Sequence, residues 1–505
     1  MNNPGQASSD QLKPIHWLFL LSSLVSYVVL RLPWVGHLLM WDEAMNLCSV
    51  RSFAAGGHDY YSNWFWHHPL LLNLVLLLVQ PLQSGFAERS HLLLIFVGIL
   101  NSVALFVLCR MAFGTAAALW SVFFYAVMPA AIFFDLWIKQ DPLASLFCML
   151  SMIAFLRRRF VFSGALMGFA LLAKEMSAFY VIGIGVLWLA QPRGQRKIRD
   201  LAVIALVALL LSAWWYVGFS PSIKYFIAFA VNSSKGVDVW VWSRPWHYFL
   251  GKLNLDLGYV GLVLSLLGVL GIAFRCRSRD HEPSCFWPLA VLVPAYLLIS
   301  MARGKAVWFT IVLYPVFAAL QGVGMQGLLT VVKSRLDRLS AKWTWMGRMW
   351  PRWAVVAIAL VGASYLIAGV WGRDYERTLY AQDGGIWWGA QASRQAAMRV
   401  NGVVTNGQKV LITPMSYWQY RDKEPCPIFV YYLNDIPVLV RPYDVSASEL
   451  VAAVREYRLD WAMVSPEGVA GLRTLLQPLV RDYGVSPMFL QGACIFKTDS
   501  IYKNP

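Results

Sequence analysis

Two adjacent carboxylates, Asp42 and Glu43, stand where a long apolar segment gives way to polar sequence. That segment runs from Ile15 to Met40 and is long enough to cross a bilayer. Ionisable side chains beside lipid cost free energy, so a functional role is their first interpretation. A carboxylate here can accept the proton of an attacking hydroxyl group, as a general base does. The alternative is that the pair caps a helix predicted over 44–54.

Cationic and imidazole side chains recur beside other apolar segments, and one further carboxylate, Asp141, precedes Pro142 at the start of such a segment. Cations and imidazoles can bind a phosphate group and stabilise charge that develops on it. Carboxylates and phosphate-binding groups at a membrane surface together indicate a lipid-phosphate substrate. The candidate phosphate-binding residues are His67, His68, Lys174, Arg303 and Lys305.

Each of these residues also has a plain structural alternative. Asp141 can simply start a helix before proline, and Asp135 is interpreted as an ordinary loop charge. Lys174 can neutralise its neighbour Glu175 at a helix break. The remaining cations can be interfacial side chains that extend toward water, and the two histidines can hydrogen-bond beside a proline turn.

The composition predicts a polytopic α-helical membrane protein. The 505 residues are 58% hydrophobic and 14% charged, whereas soluble chains carry about 25% charged residues. The net charge of +16 does not indicate nucleic acid, because the basic residues form short clusters between apolar segments. The seven cysteines show no spacing typical of a zinc site, so no metal ligands are predicted, although a divalent cation stays open.

About eleven membrane spans fit the apolar segments, and the basic clusters give their orientation by the positive-inside rule. The candidate site residues then fall on the extracytoplasmic side. The segment 69–83 fits only as an interfacial helix, because counting it as a span would place Arg157–Arg159 outside. The predicted spans are 15–39, 90–109, 115–134, 141–156, 161–173, 176–191, 201–219, 254–274, 286–301, 307–324 and 353–371.

From Arg373 the composition changes to alternating strand and helix patterns. Strands are predicted at 409–413, 437–440 and 461–464, with a capped amphipathic helix from Ser446. We therefore expect two domains. Residues 1–372 form the transmembrane module, and residues 373–505 form a small extracytoplasmic α/β domain.

The order of these motifs resembles that of the GT-C membrane glycosyltransferases, in the branch of protein O-mannosyltransferases and lipid A aminoarabinose transferases. The resemblance covers about residues 15–320. Two positions depart from the family pattern: His68 stands where lysine is frequent, and Glu175 stands where glycine is frequent. The motifs are Asp42-Glu43, His67-His68-Pro69-Leu70, Asp141-Pro142, Gly168 to Glu175, and Arg303 to Pro315.

The resemblance implies an inverting glycosyltransferase of the plasma (inner) membrane. It would transfer a hexosyl or pentosyl group from a polyprenyl-phosphate donor to an extracytoplasmic lipid, glycan or protein, without a nucleotide cofactor. Asp42 corresponds to the catalytic base, Asp141 to a second acidic position, and Glu43 completes the acidic pair. The implied partners are the lipid-linked donor, membrane lipids and the acceptor, with no nucleic acid.

Two other classes of function stay open at this point. A transporter or flippase for a lipid-linked sugar would show internal repeats and polar residues at mid-membrane depth. A membrane-anchored envelope assembly protein would act through residues 373–505. Transfer of label from a polyprenyl-phosphate sugar to an acceptor would separate all three.

Overall fold

The computed structural model divides into two compact units. The first comprises Met1–Val35 and Trp66–Thr378, and the second comprises Gly36–Phe65 and Leu379–Pro505. The sequence predicts two continuous domains with one boundary at residue 373. The second unit of the structure includes, besides the C-terminal residues, the first polar loop at Gly36–Phe65. The residues described are 12–37, 39–57, 69–80, 85–218, 242–277, 283–302, 304–305, 307–340, 386–405, 407–412, 427–433, 438–440, 446–464, 468–490 and 493–503.

The described residues are mostly helical, with short strands in both units. In chain order the helices are α1 Pro14–Arg31, α2 Trp41–Ala54, α3 Leu71–Leu77, α4 Phe86–Phe113, α5 Thr115–Val127, α6 Pro129–Phe134, α7 Asp141–Leu156, α8 Phe160–Ala173, α9 Ala178–Ala190, α10 Ile198–Gly218, α11 Tyr248–Arg277, α12 Trp287–Met301, α13 Tyr314–Ser340, α14 Ile386–Val403, α15 Pro427–Tyr432, α16 Ala447–Tyr457, α17 Gly468–Tyr483 and α18 Asp499–Lys503. The strands are β1 Trp242–Ser243, β2 Gly304–Lys305, β3 Val410–Ile412, β4 Val438–Val440, β5 Trp461–Val464, β6 Met488–Leu490 and β7 Ala493–Lys497.

Within the described ranges, six helical segments of the first unit are long and apolar enough to cross a membrane. Four shorter apolar helices occupy predicted spans between 115 and 191. The predicted span 353–371 lies outside the described residues, and the described part of the segment after Pro69 contains the short helix α3. The long segments are Pro14–Trp34, Phe86–Phe113, Ile198–Gly218, Tyr248–Arg275, Pro283–Met301 and Trp308–Arg335.

Glycines let helices α11 and α13 approach closely. A Cβ atom built on Gly268 would lie 2.1 Å from the carbonyl oxygen of Leu320, and one on Gly324 would lie 2.1 Å from that of Leu264. Lipid offers no hydrophobic driving force between helices, so close backbone packing at small residues stabilises such contacts. This close packing fixes the distance between α11 and α13.

The second unit contains a five-stranded sheet with the strand order β4-β3-β5-β7-β6. Strand β3 pairs in parallel with β4 and β5, whereas β7 pairs antiparallel with β5 and β6. Strands β3, β4 and β5 lie in the segments where the sequence pattern predicts strands. Side chains of the sheet and of α16 and α17 form its core, including Leu411, Val454, Leu479 and Phe496.

Candidate active site

Two of the predicted motifs meet in a buried ion pair of the first unit. Asp141 is the first residue of α7, and Lys174 directly follows the end of α8. The Lys174 Nζ atom lies 2.6 Å from Asp141 Oδ2, and both side chains are buried. A carboxylate in the first turn of a helix faces its positive end, and a buried charge needs a partner. The contact is a charge-assisted hydrogen bond, which fixes the lysine ammonium in place.

Lys139 lies two residues before Asp141 and is also buried. Its ammonium nitrogen is 4.1 Å from the centre of the Trp308 ring and 4.7 Å from that of Trp137. Aromatic faces attract cations, and the attraction is stronger away from water. Lys139 was not among the residues predicted for the site. The sequence signal is a lysine that closely follows aromatic residues and stands two residues before the Asp-Pro motif.

The turn that carries Lys139 is anchored by Asp135, which the sequence analysis interpreted as an ordinary loop charge. That interpretation was wrong, because Asp135 is buried and Arg31 Nη2 donates to its Oδ2 atom at 3.0 Å. Tyr27 and Tyr125 donate their hydroxyl hydrogens to the same carboxylate at 2.9 and 3.2 Å. Arg31 also donates to the backbone carbonyl of Ala126 at 3.0 Å. The network therefore joins the turn to helices α1 and α5.

Lys305 lies on β2, in the short antiparallel ladder that β2 forms with β1. Its ammonium group donates to the carbonyl oxygen of Arg244 at 3.3 Å and to that of Ala302. Burial lowers the pKa of this ammonium. In the structure Lys305 thus holds the ladder together through backbone carbonyls.

A third buried ion pair lies in α11, between Lys252 and Asp256. The Lys252 Nζ atom is 2.5 and 2.7 Å from the two carboxylate oxygens of Asp256. It also lies 5.6 Å from the ring centre of Phe134, the last residue of α6. This pair was not predicted, although a lysine and an aspartate four residues apart in an apolar helix are a visible signal in the sequence.

In the second unit, Asp42 and Glu43 lie in the first turn of α2 and have different surroundings. Glu43 is fully buried, accepts the backbone N–H of Met40 at 2.8 Å and lies 3.2 Å from His37 Nε2. It therefore caps its own helix, which is the structural alternative considered above. Asp42 is half-buried. The Glu43 carboxylate is therefore occupied in a buried helix cap, whereas Asp42 is partly exposed.

The structure places the remaining predicted site residues as follows. Asp141, Lys174 and Lys305 belong to the first unit, whereas Asp42 and Glu43 belong to the second. His67, His68 and Arg303 lie outside the described residues.

The sequence matches no family model, and no curated protein gives a significant match. Solved structures do match the fold. ArnT from Cupriavidus metallidurans bound to undecaprenyl phosphate superposes with a TM-score of 0.63 at 16% identity, covering 97% of this chain and 99% of ArnT. AglB, the Archaeoglobus fulgidus oligosaccharyltransferase in complex with an inhibitory peptide and a dolichol-phosphate, superposes with a TM-score of 0.58 at 12% identity. That match covers 96% of this chain and 74% of AglB.

ArnT, a lipid A aminoarabinose transferase, and AglB are both GT-C glycosyltransferases. The match to ArnT spans nearly the whole of both chains, so it includes both units of this structure. This chain therefore has the fold that ArnT and AglB share, the GT-C fold.

Proposed function

We propose that this protein is an inverting glycosyltransferase that moves a sugar from a polyprenyl-phosphate carrier to an extracytoplasmic acceptor. The observation that carries the proposal is the near full-length match to ArnT, a structure that contains undecaprenyl phosphate. The Asp141–Lys174 pair adds to it, because it joins two motifs on which the sequence resemblance rests.

In the proposed reaction a hydroxyl or amine of the acceptor attacks the anomeric carbon of the sugar. The bond from that carbon to the phosphate oxygen breaks on the opposite face, and the configuration inverts. Asp42 accepts the proton of the attacking group as general base. Polyprenyl phosphate leaves with the electron pair of the broken bond.

The departing phosphate develops negative charge, which nearby cations stabilise. We assign this task to Lys174, oriented by Asp141, together with His67, His68, Arg303 and Lys305. Lys305 would have to exchange one of its backbone carbonyl partners for a phosphate oxygen. Glu43 is assigned to the support of α2, because its carboxylate already accepts the Met40 N–H.

The test uses purified full-length protein, a polyprenyl-phosphate sugar labelled in the sugar, and an envelope extract as the source of acceptors. We expect label to appear in a lipid, glycan or protein and free polyprenyl phosphate to accumulate in equal amount. If the donor instead stays intact but crosses the membrane of proteoliposomes, the protein is a flippase. If neither transfer nor movement occurs, an assembly role replaces the proposal.

A further inference from the structure

Helix α2, which carries Asp42 and Glu43 in its first turn, is attached at its other end to the C-terminal part of the second unit. Arg51 lies in the last turn of α2. Its Nη1 atom donates to the backbone carbonyl of Tyr431 at 3.1 Å, across 380 residues of sequence. Its guanidinium carbon lies 4.5 Å from the centre of the Tyr431 ring. One side chain thus makes a hydrogen bond and a cation–π contact to the same residue.

Tyr431 is the penultimate residue of α15, and the carbonyls in the last turn of a helix have no partner within it. The end of a helix also carries partial negative charge, which a guanidinium stabilises. Arg51 lies in the last turn of α2 as well, so a single cation serves the carboxyl ends of two helices. These contacts restrain the Arg51 side chain to one position.

Helix α15 is in turn held by α14. Asn401 Nδ2 donates to the carbonyl of Tyr432 at 2.8 Å, and the Arg394 guanidinium carbon lies 5.2 Å from the Tyr432 ring centre. Ile428 and Phe429 are buried on the same short helix. Helix α15 therefore provides α2 with a support that belongs to the C-terminal residues.

We propose that Arg51 is a positioning residue for Asp42, and that the C-terminal region supports the helix that carries the catalytic base. The inference rests on the proposed function. Arg51 lies nine positions after Asp42 on the helix, or about 13.5 Å at about 1.5 Å per residue. A tilt of about 5° at the Arg51 end then moves Asp42 by about 1 Å, a displacement that can cost about 100-fold in rate.

The test compares Arg51→Met with wild type in the transfer assay. We expect kcat to fall by about 10- to 100-fold with little change in the KM for the donor, since the donor-binding residues are untouched. Arg51→Lys should recover part of the rate, because it keeps the charge without the planar contact. Matched controls are Tyr431→Phe, which keeps the ring and the backbone carbonyl, and Arg399→Met at an exposed position of α14. Both should behave as wild type.

If Arg51 acts by positioning Asp42, the rate losses caused by substituting the two residues should not add. In an Asp42→Asn background, Arg51→Met should cost little further rate, because the base that it positions is already absent. An equal loss in both backgrounds would overturn the proposal, as would an Arg51→Met enzyme with wild-type kcat. Hydrogen exchange separates this result from failure of the proposed function. Whether or not transfer is detected, Arg51→Met should speed exchange in α2 but not in α16, and unchanged exchange in α2 would refute the attachment.

Discussion

At the scale of single residues, buried ion pairs characterise the first unit, within the residues that the structure describes. Taking two charges out of water is costly, so such pairs are weak evidence for stability and better evidence for a defined geometry. All three pairs bring the charged atoms to 3.0 Å or less. They are Arg31–Asp135, Asp141–Lys174 and Lys252–Asp256. The pair formed by Asp141 and Lys174 is the one that we connect with catalysis.

Lys174→Met should lower the free energy of unfolding by about 3–5 kcal/mol, because it leaves Asp141 buried without its counter-charge. The double variant Asp141→Asn/Lys174→Met should recover most of that stability but not the transfer activity. Thermal unfolding in detergent and the transfer assay measure the two effects. The exposed pair Arg481–Asp482 is the control, and Arg481→Met/Asp482→Asn should change neither quantity. A double variant with normal activity would remove the pair from the catalytic account.

The sequence identified Asp141 and Lys174 because each belongs to a recognisable motif. It misjudged Asp135, because the partner of that carboxylate is 104 residues away in an apolar helix and nothing in its own neighbourhood reveals burial. Lys139 was missed for a similar reason, since one of its two aromatic partners comes from a distant segment. Local patterns reveal a charged residue, but only the fold reveals its partner.

At the scale of secondary-structure elements, glycines set the distance between α11 and α13. Gly268→Ala should destabilise the protein by about 1–3 kcal/mol, since the new methyl group would overlap the Leu320 carbonyl. Gly271→Ala on the same helix is the matched control. Its Cβ atom would lie 3.6 Å from Val323 Cγ1, an ordinary contact. Equal thermal unfolding of the two variants would contradict the close packing described here.

Helix α16 begins with a capping box in which Glu449 accepts the backbone N–H of Ser446 at 2.8 Å. This hydrogen bond lowers the pKa of the Glu449 carboxylate from its ordinary value of 4.5. Stabilisation from a lowered carboxylate pKa is complete above the unfolded value and is lost as the pH falls through the folded value. We therefore expect protection of α16 from hydrogen exchange, corrected for intrinsic rates, to decline as the pH falls below 4.5, the ordinary pKa of this carboxylate.

Glu449→Gln should flatten this pH dependence, because the amide does not titrate. Glu456→Gln, on the same helix but away from the cap, should retain the wild-type profile. If Glu449→Gln and wild type show the same decline in protection, the cap does not contribute as described.

The strands of the second unit show which elements a sequence pattern can predict. Strands β3, β4 and β5 are short apolar clusters next to turn residues, and they were predicted. Strands β6 and β7 were not. The edge strand β6 is apolar at all three positions although Phe489 is 67% exposed, so its sequence has no alternation of apolar and polar residues.

At the scale of the whole molecule, the structure divides the chain in a way that no local pattern could predict. Residues Gly36–Phe65 join the C-terminal residues in one unit. The hydrogen bond from Arg51 to Tyr431 exemplifies the long-range contacts that produce this grouping. The apolar segments, by contrast, predicted the helices of the first unit well, because each segment carries its own signal of length and hydropathy.

The proposed topology places the active site and the C-terminus outside the cytoplasm, because the arginine and lysine clusters between spans favour the cytoplasmic side. A reporter that is active only outside the cytoplasm should therefore be active when fused after Pro505 and inactive when fused after Arg159. The reverse pattern would place Asp42 on the wrong side for an extracytoplasmic acceptor.

The central claim is that Asp42 removes the acceptor proton in a sugar transfer from a polyprenyl-phosphate donor. The most direct measurement is the single-turnover transfer rate of wild type, Asp42→Asn and Glu43→Gln, each purified at normal yield. Asn keeps the size and polarity of Asp but cannot take up the proton, so Asp42→Asn should be about 10²–10⁴-fold slower than wild type. Glu43→Gln, whose amide oxygen can still accept the Met40 N–H, should lose much less. A wild-type rate in Asp42→Asn would contradict the account.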